Sequence, residues 1–366
     1  MNIGFDAKRA FNNVTGLGNY SRSIIRSIAN EDSSLNLYLF TPTNNRKLFS
    51  IKNKNTYIIH PSYWTNKTYW RNFGINNEFK KQNIDIYHGL SGELPFNKKV
   101  KSIVTIHDLL FLKYPQFYKP IDRLIYTIKT KQSCKTAKKI IAISHQTKLD
   151  IIKFFNIPEN KIEVIYQSCS MNFINNNHPQ NLIDKFKLKK PYLLYVGTIE
   201  ERKNLIFLLK AIKENKEWNL ICIGKKKNYF KKVSQYIQQN NLKKQVRFID
   251  VLNEKELSLI YQKSRGLVYP SIDEGFGIPI LEAMYSKTPV ITSNKSIFKE
   301  VCGINSYYFE ENELTSLKNQ IKKIWEDSNE RDNRIKINLN YVQKFNEKKQ
   351  AVKIINLYNI IKDEEL

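Results

Sequence analysis

The chain has 366 residues, of which 41% are hydrophobic and 12% aromatic; this length suits two domains, and the composition excludes an intrinsically disordered polymer. The net charge of +26 comes from 49 Lys and 11 Arg against 34 acids, spread along the chain without a nucleic-acid-reading motif, so a nucleic-acid binder is disfavoured. There is no apolar run of the ~18 residues that a membrane span needs, no signal-peptide pattern, and no CxxC among Cys134, Cys169, Cys222 and Cys302, which together point to a reduced, cytoplasmic protein.

In chain order, strands are expected at Met1–Asp6, Leu35–Phe40, Tyr57–Ile59, Ile84–His88, Ser102–His107, Ile140–Ser144 and Glu163–Tyr166. Helical patterns lie between them near Asn19–Ile28, Arg123–Ala137 and Gln146–Phe155. Strands that alternate with helices imply parallel βαβ units. Ser170–Pro191 is polar, rich in Asn and Lys and aperiodic, and reads as a linker. The alternation then restarts, with strands at Tyr192–Val196, Asn219–Ile223, Val246–Ile249, Gly266–Tyr269, Val290–Thr292 and Tyr307–Phe309. Helices are expected near Asn204–Glu214, Phe230–Asn240, Glu254–Gln262, Ile278–Tyr285 and Leu314–Asp327, then Arg331–Lys344 and Glu347–Ile361. The fold class is α/β, two doubly wound Rossmann-like domains: 1–175, then 176–345, with a C-terminal helix in 346–366 that can pack back on the first. Ligands in such folds bind at the C-terminal ends of the strands.

The segment Pro270–Ser293, PSIDEGFGIPILEAMYSKTPVITS, carries the strongest chemical signal. A strand ends in a loop with Asp273 and Glu274, then Gly275 and Gly277, then a helix opening on Ile278–Pro279, where proline's missing N–H is harmless. Glycines let a backbone approach a ligand closely, and the free N–H groups of a helix start favour phosphate. Glu282, eight residues past Glu274, places a second carboxylate along the helix, although alone it would read as a solvated side chain. Two acids bracketing a phosphate-friendly helix end suit a sugar nucleotide. The segment Gly197–Asn204 likewise leaves a strand for a helix, and its adjacent Arg202 and Lys203 are either surface cations or counter-charges for a leaving diphosphate. Gly16 and Gly18 follow the first strand, but Ser21 stands at the third glycine position of a dinucleotide fingerprint, which disfavours NAD. His107 ends a strand; Asp108 either orients its imidazole or caps the adjoining turn of chain.

These blocks resemble the retaining glycosyltransferases of family 4. EGFGIPILEA matches that family's E-x7-E signature, and TGLGNYSR, TIHDLLFLKYP, YVGTIEERKNL and SRGLVYPSIDEGFG match further family blocks in order, over nearly the whole chain. The chain is especially similar to bacterial polysaccharide-biosynthesis members described as mannosyltransferases. The resemblance implies the GT-B fold, two Rossmann-like domains facing across a cleft that holds the active site. It implies transfer of a hexose, mannose first, from a nucleotide-diphosphate sugar (GDP-mannose first, with no other cofactor) to a glycan or lipid-linked glycan acceptor. By the same resemblance Gly16 and Gly18 approach the donor diphosphate, and His107 lies beside the reacting sugar. Arg202 and Lys203 neutralise the diphosphate, Glu274 grips sugar hydroxyls, and backbone N–H groups of Phe276, Gly277 and Ile278 meet sugar and phosphate. Glu282 holds the ribose, and backbone near Val251 reads the base. Thr198 stands where some members carry Arg, so phosphate binding rests on Arg202 and Lys203. The chain has no D-x-D, and no metal is expected. Retention implies front-face attack, in which the departing phosphate oxygen takes the acceptor's proton. A sugar-nucleotide epimerase of the same fold is the alternative reading, with a basic nucleic-acid-binding protein or a non-catalytic membrane scaffold less favoured.

Residues 98–148 carry 12 basic and two acidic side chains, and Lys119–Lys139 seven basic and one acidic. There Ile121, Leu124, Ile125, Ile128 and Ala137 fall mostly at helical spacing. That apolar stripe is expected to pack on the domain's own sheet, the ordinary fate of an amphipathic helix in an α/β fold. The opposite cationic face is expected to meet anionic lipid on the inner face of the plasma membrane, through Lys129, Lys131, Lys135 and Lys138.

Overall fold

The structure is a computed structural model that describes residues 1–43, 48–51, 53–62, 66–96, 100–174, 184–188, 190–251 and 253–364. Part of the expected linker, 175–183 and 189, lies outside these. The chain divides into two compact units. Unit 1 comprises Met1–Ser168 together with Phe345–Leu366, and unit 2 comprises Cys169–Lys344. The second unit therefore starts before residue 176. The reason is packing: Phe173 is buried, its ring is edge-on to Tyr261 at 6.0 Å, and its carbonyl accepts from Ser286 Oγ at 3.3 Å.

Unit 1 holds strands β1 (Asn2–Asp6), β2 (Asn36–Phe40), β3 (Thr56–Ile59), β4 (Ile86–Gly89), β5 (Lys101–Ile106), β6 (Lys139–Ala142) and β7 (Ile162–Val164). They form one parallel sheet in the order β3-β2-β1-β4-β5-β6-β7. Unit 2 holds β8 (Leu193–Val196), β9 (Leu220–Ile223), β10 (Val246–Phe248), β11 (Gly266–Tyr269), β12 (Val290–Ser293) and β13 (Tyr307–Phe309), again parallel, in the order β10-β9-β8-β11-β12-β13. Each sheet reverses its winding once, between β1 and β4 and between β8 and β11. Those two switch points are where doubly wound sheets open a crevice for ligands.

The central strands are buried on both faces, which their Ile-, Val- and Leu-rich runs require. The unit-1 core joins Ile3 and Phe5 of β1 and Ile24 and Ile28 of the Gly16–Glu31 helix to Ala351, Ile354, Tyr358 and Ile361 of the Glu347–Asp363 helix. His88 Nδ1 meets Tyr358 Oη at 2.7 Å inside that core. Several short helices between strands had no sequence counterpart, among them Lys8–Asn12, Ser296–Cys302 and a run over 67–81 that includes the π-helical turn Trp70–Gly74.

The Pro120–Thr136 helix corrects one expectation. Its buried residues are Thr130, Ser133 and Cys134, whereas Ile121, Leu124, Ile125 and Ile128 are 73%, 60%, 44% and 60% exposed. The small polar face is chosen because it bonds as it packs: Ser133 Oγ accepts the Leu94 N–H at 2.9 Å. Lys129, on the same helix, sets its Nζ 3.6 Å from Glu93 Oε2. No helix among the described residues is long and apolar enough to cross a membrane.

Candidate functional site

In unit 2 the site residues gather at the switch point. After β8 the chain makes the turn Glu201–Lys203, and after β11 it runs through Asp273 and Glu274 into the Ile278–Tyr285 helix. Backbone ties the two loops together, since the Ile272 N–H donates to the Arg202 carbonyl at 2.9 Å. One oxygen, Glu274 Oε1, then receives both cations, Arg202 Nη1 at 2.8 Å and Lys203 Nζ at 2.6 Å. Arg202 also donates to the Asp273 carbonyl at 2.6 Å and to Glu200 Oε1 at 3.0 Å, and Lys203 to Tyr269 Oη at 2.7 Å. Side-chain exposures of 14%, 12% and 11% for Arg202, Lys203 and Glu274 make this a sheltered triad. Burial alone would raise the Glu274 pKa, but the two cations outweigh it and hold the carboxyl down to about 2. Glu274 is therefore ionised at neutral pH and has no proton to give. Burial lowers Lys203, and Glu274 offsets part of that.

Gly277 occupies the helix N-cap position at φ +113°, a backbone conformation that favours glycine, and Pro279 falls in the first turn. Phe276 is buried, and Ile278 is half-buried. Glu282 is a half-buried group that accepts from Tyr261 Oη at 2.9 Å, and burial pushes its carboxyl up to about 7. Val251 stands apart from the triad: it follows β10, the edge strand, with β9 and β8 between it and β11. Gly224 was missed in the sequence. A Cβ there would lie 1.9 Å from the Gly197 carbonyl oxygen, so the loops after β8 and β9 close on each other only because it has none.

In unit 1, Gly16 and Gly18 form the first turn of the Gly16–Glu31 helix rather than a free loop. Their roles differ. A Cβ on Gly18 would collide with the Asn13 carbonyl at 1.8 Å, whereas a Cβ on Gly16 would meet nothing within 4 Å. Packing explains Gly18 and leaves Gly16 open to an approaching group.

His107 has both nitrogens engaged. Nε2–H donates to the Leu90 carbonyl at 2.9 Å, and Nδ1 accepts from Gln167 Nε2 at 2.9 Å. Burial pushes its pKa down to about 4, so the ring is neutral at pH 7. With both ring nitrogens taken, Asp108 does not orient it; its Oδ1 accepts the Leu110 N–H at 3.1 Å in the turn that follows. His107 lines a cavity of about 240 Å³ at the unit-1 switch point. Among the described residues no three His, Cys, Asp or Glu side chains are arranged to hold a metal ion.

Residues 14–169 match the family model described as Glycosyltransferase Family 4, and residues 178–340 match Glycosyl transferases group 1. The chain is 32% identical over 269 residues to the O-antigen chain mannosyltransferase RfbU of Salmonella typhimurium, covering 73% of this chain and 71% of that protein. It is 29% identical over 285 residues to O-antigen chain mannosyltransferase B of Escherichia coli, covering 75% and 74%. A sucrose-phosphate synthase structure from Thermosynechococcus elongatus superposes with a TM-score of 0.80 at 18% identity over 99% of both chains, which gives the GT-B fold. With two parallel sheets, a cationic pair beside an acid at a switch point, and these relatives, the chain belongs to glycosyltransferase family 4, retaining enzymes that move a hexose from a nucleotide sugar to a glycan acceptor.

Proposed function

We propose that the chain is a mannosyltransferase that uses GDP-mannose to extend a lipid-linked glycan on the cytoplasmic face of the membrane. The observation that carries the donor assignment is the convergence of Arg202, Lys203 and Glu274 at the β8/β11 switch point, next to the start of the Ile278–Tyr285 helix. Two sheltered cations and a helix start offer counter-charge where a diphosphate departs. In this reading Arg202 and Lys203 take the diphosphate, and Gly16 contributes to donor binding. N–H groups of Phe276, Gly277 and Ile278 meet sugar and phosphate. Glu274 turns from its cations to the hydroxyls of the donor sugar. Glu282 accepts from the ribose, backbone near Val251 contacts the base, and neutral His107 serves as a fixed polar wall beside the reacting sugar rather than as a base. The departing phosphate oxygen accepts the acceptor's proton, so positioning and charge stabilisation supply the rate.

Mannose as the sugar rests on the mannosyltransferase names of the two relatives. The membrane surface rests on the Pro120–Thr136 helix, whose exposed Ile121, Leu124, Ile125 and Ile128 accompany the cations of Lys119–Lys139. A thermal-shift screen of sugar nucleotides tests the donor, because a ligand that binds only the folded state raises its apparent stability. GDP-mannose should give the largest shift. A larger shift with a uridine or adenine sugar nucleotide would reject the base assignment.

A further inference from the structure

The loops after β8 and β9 run side by side. The Gly197 N–H donates to the Ile223 carbonyl at 2.9 Å and the Ile199 N–H to the Lys225 carbonyl at 2.9 Å, and Ile199 and Lys226 form a parallel bridge. Glu200 and Lys227 are the next residues along the two loops, so the backbone pairing brings their side chains together, with Lys227 Nζ 2.5 Å from Glu200 Oε2. The other carboxylate oxygen, Oε1, accepts from Arg202 Nη2 at 3.0 Å. Each oxygen of Glu200 therefore serves one cation. As a stability device the outer pair is weak, because Lys227 is 54% exposed and an exposed ion pair contributes little.

Its value lies in what Glu200 does to Arg202. A guanidinium is a planar fork, and it serves a diphosphate only while that plane is fixed. Nη1 faces the Asp273 carbonyl at 2.6 Å and Glu274 Oε1 at 2.8 Å, and Nη2 faces Glu200. When Glu274 turns to the donor sugar, the Asp273 carbonyl still holds Nη1 and Glu200 still holds Nη2. Acceptors on both terminal nitrogens define the plane, where one acceptor would leave the fork free to turn about it. A lone carboxylate at this place would repel the phosphates, and Lys227 on its far oxygen offsets that charge.

We infer that Glu200 is the positioning residue for Arg202, keeping the guanidinium aimed at the departing diphosphate after Glu274 has moved to the sugar, with Lys227 offsetting the charge that Glu200 would otherwise set against the phosphates. This rests on the donor reading above and adds to it a residue that touches neither donor nor acceptor.

Two measurements test it, and the first needs no donor. In Glu274→Gln with isotope-labelled arginine, the Arg202 Nη protons should give separate NMR signals, the mark of a guanidinium that rotates slowly. Adding Glu200→Ala to that variant should average them. Separate signals in both variants, or averaged signals in both, overturn the inference.

The second is a binding cycle with GDP by calorimetry and guanosine by ligand-observed NMR. Glu200→Ala should weaken GDP at least about fivefold and guanosine less than about twofold, since guanosine has no phosphate for Arg202 to meet. Glu200→Gln, which keeps an oxygen for Nη2, should stay within about twofold of wild type. In an Arg202→Ala background Glu200→Ala should change GDP affinity by less than about twofold, because a residue that acts through Arg202 then has nothing to position. Equal weakening of GDP and guanosine, no recovery with Gln, a loss that persists without Arg202, or unchanged or tighter GDP in Glu200→Ala each overturns it. A wild type that does not bind GDP would instead reject the donor reading, and the Glu274→Gln spectra would then decide whether Glu200 holds Arg202.

Discussion

Replacing Glu274 by Gln removes the negative charge that both Arg202 and Lys203 contact through Oε1, at 2.8 and 2.6 Å, and leaves two cations together in a site where each is less than 15% exposed. Breaking a buried pair from one side costs about 3–5 kcal/mol. Glu200 Oε1 remains on Arg202 at 3.0 Å, so the lower end of that range is the better expectation. In a unit of this size about 3 kcal/mol lowers the melting temperature by roughly 6–12 °C. The same change exposes the cations to an incoming diphosphate that no longer competes with Glu274. GDP should therefore bind the variant at least as tightly as the wild type, and GDP at 100 times its dissociation constant should restore about 2.7 kcal/mol. Turnover should move in the opposite direction, falling about 100-fold or more, because a contact to the donor sugar counts most as glycosyl-cation character develops. Scanning fluorimetry with and without GDP, followed by a transfer assay, reads all three. A Gln variant that melts within about 2 °C of wild type would contradict the buried-pair argument. One that keeps activity within tenfold would remove Glu274 from the reaction.

Burial lifts Glu282 from an ordinary 4.5 to about 7, so the folded state holds a proton that the unfolded chain has released, and stability falls as pH rises from 4.5 through 7. Glu282→Gln should flatten that slope. It should also raise KM for the donor and abolish a gain in GDP affinity expected as the wild-type carboxylate ionises; equal wild-type affinity by calorimetry at about pH 6 and about pH 8 would count against a ribose role. Transfer should persist in excess EDTA because Arg202 and Lys203 carry the counter-charge. Complete loss reversed by Mg²⁺ or Mn²⁺ would oppose this, and Lys203→Ala should weaken the nucleoside diphosphate far more than the free nucleoside. Vesicles containing anionic lipid should bind the protein, with a salt-sensitive part lost on replacing Lys131, Lys135 and Lys138 by Gln and a salt-resistant part lost on replacing Ile121, Leu124 and Ile128 by Ser. Sedimentation that neither set changes would dismiss the membrane surface.

The strands were legible because a parallel sheet buried on both faces demands short apolar runs such as Leu193–Val196. The Glu274–Glu282 segment was legible because loop glycines, two acids and a Pro in a first helical turn share few structural explanations. What escaped was pairing at a distance. Nothing in the spacing shows that Glu274 closes on Arg202 and Lys203 some 70 residues away, that Gln167 rather than Asp108 holds His107, or that Arg71 locks Glu93. The Pro120–Thr136 helix misled because its apolar spacing is consistent with burial. Which face packs was decided by Thr130, Ser133 and Cys134, whose small side chains and hydrogen bonding suit the available space. Likewise Gly16 and Gly18 look alike as letters, and only the carbonyl of Asn13 separates them.

The Glu347–Asp363 helix completes the core of unit 1 although all of unit 2 is translated before it. At ribosomal speeds of ~5–20 residues per second, the first 168 residues wait roughly 10–40 s for that helix to emerge. Through that interval Ile24 and Ile28 lack the cover of Ile354 and Ile361, and His88 lacks the hydroxyl of Tyr358. Unit 2, continuous from Cys169 to Lys344, can close first even though it is made second. Nascent unit 1 is thus a natural client for chaperones, and a chain cut near residue 345 would carry that vulnerability permanently, aggregating through its amino-terminal half while its carboxy-terminal half still folds.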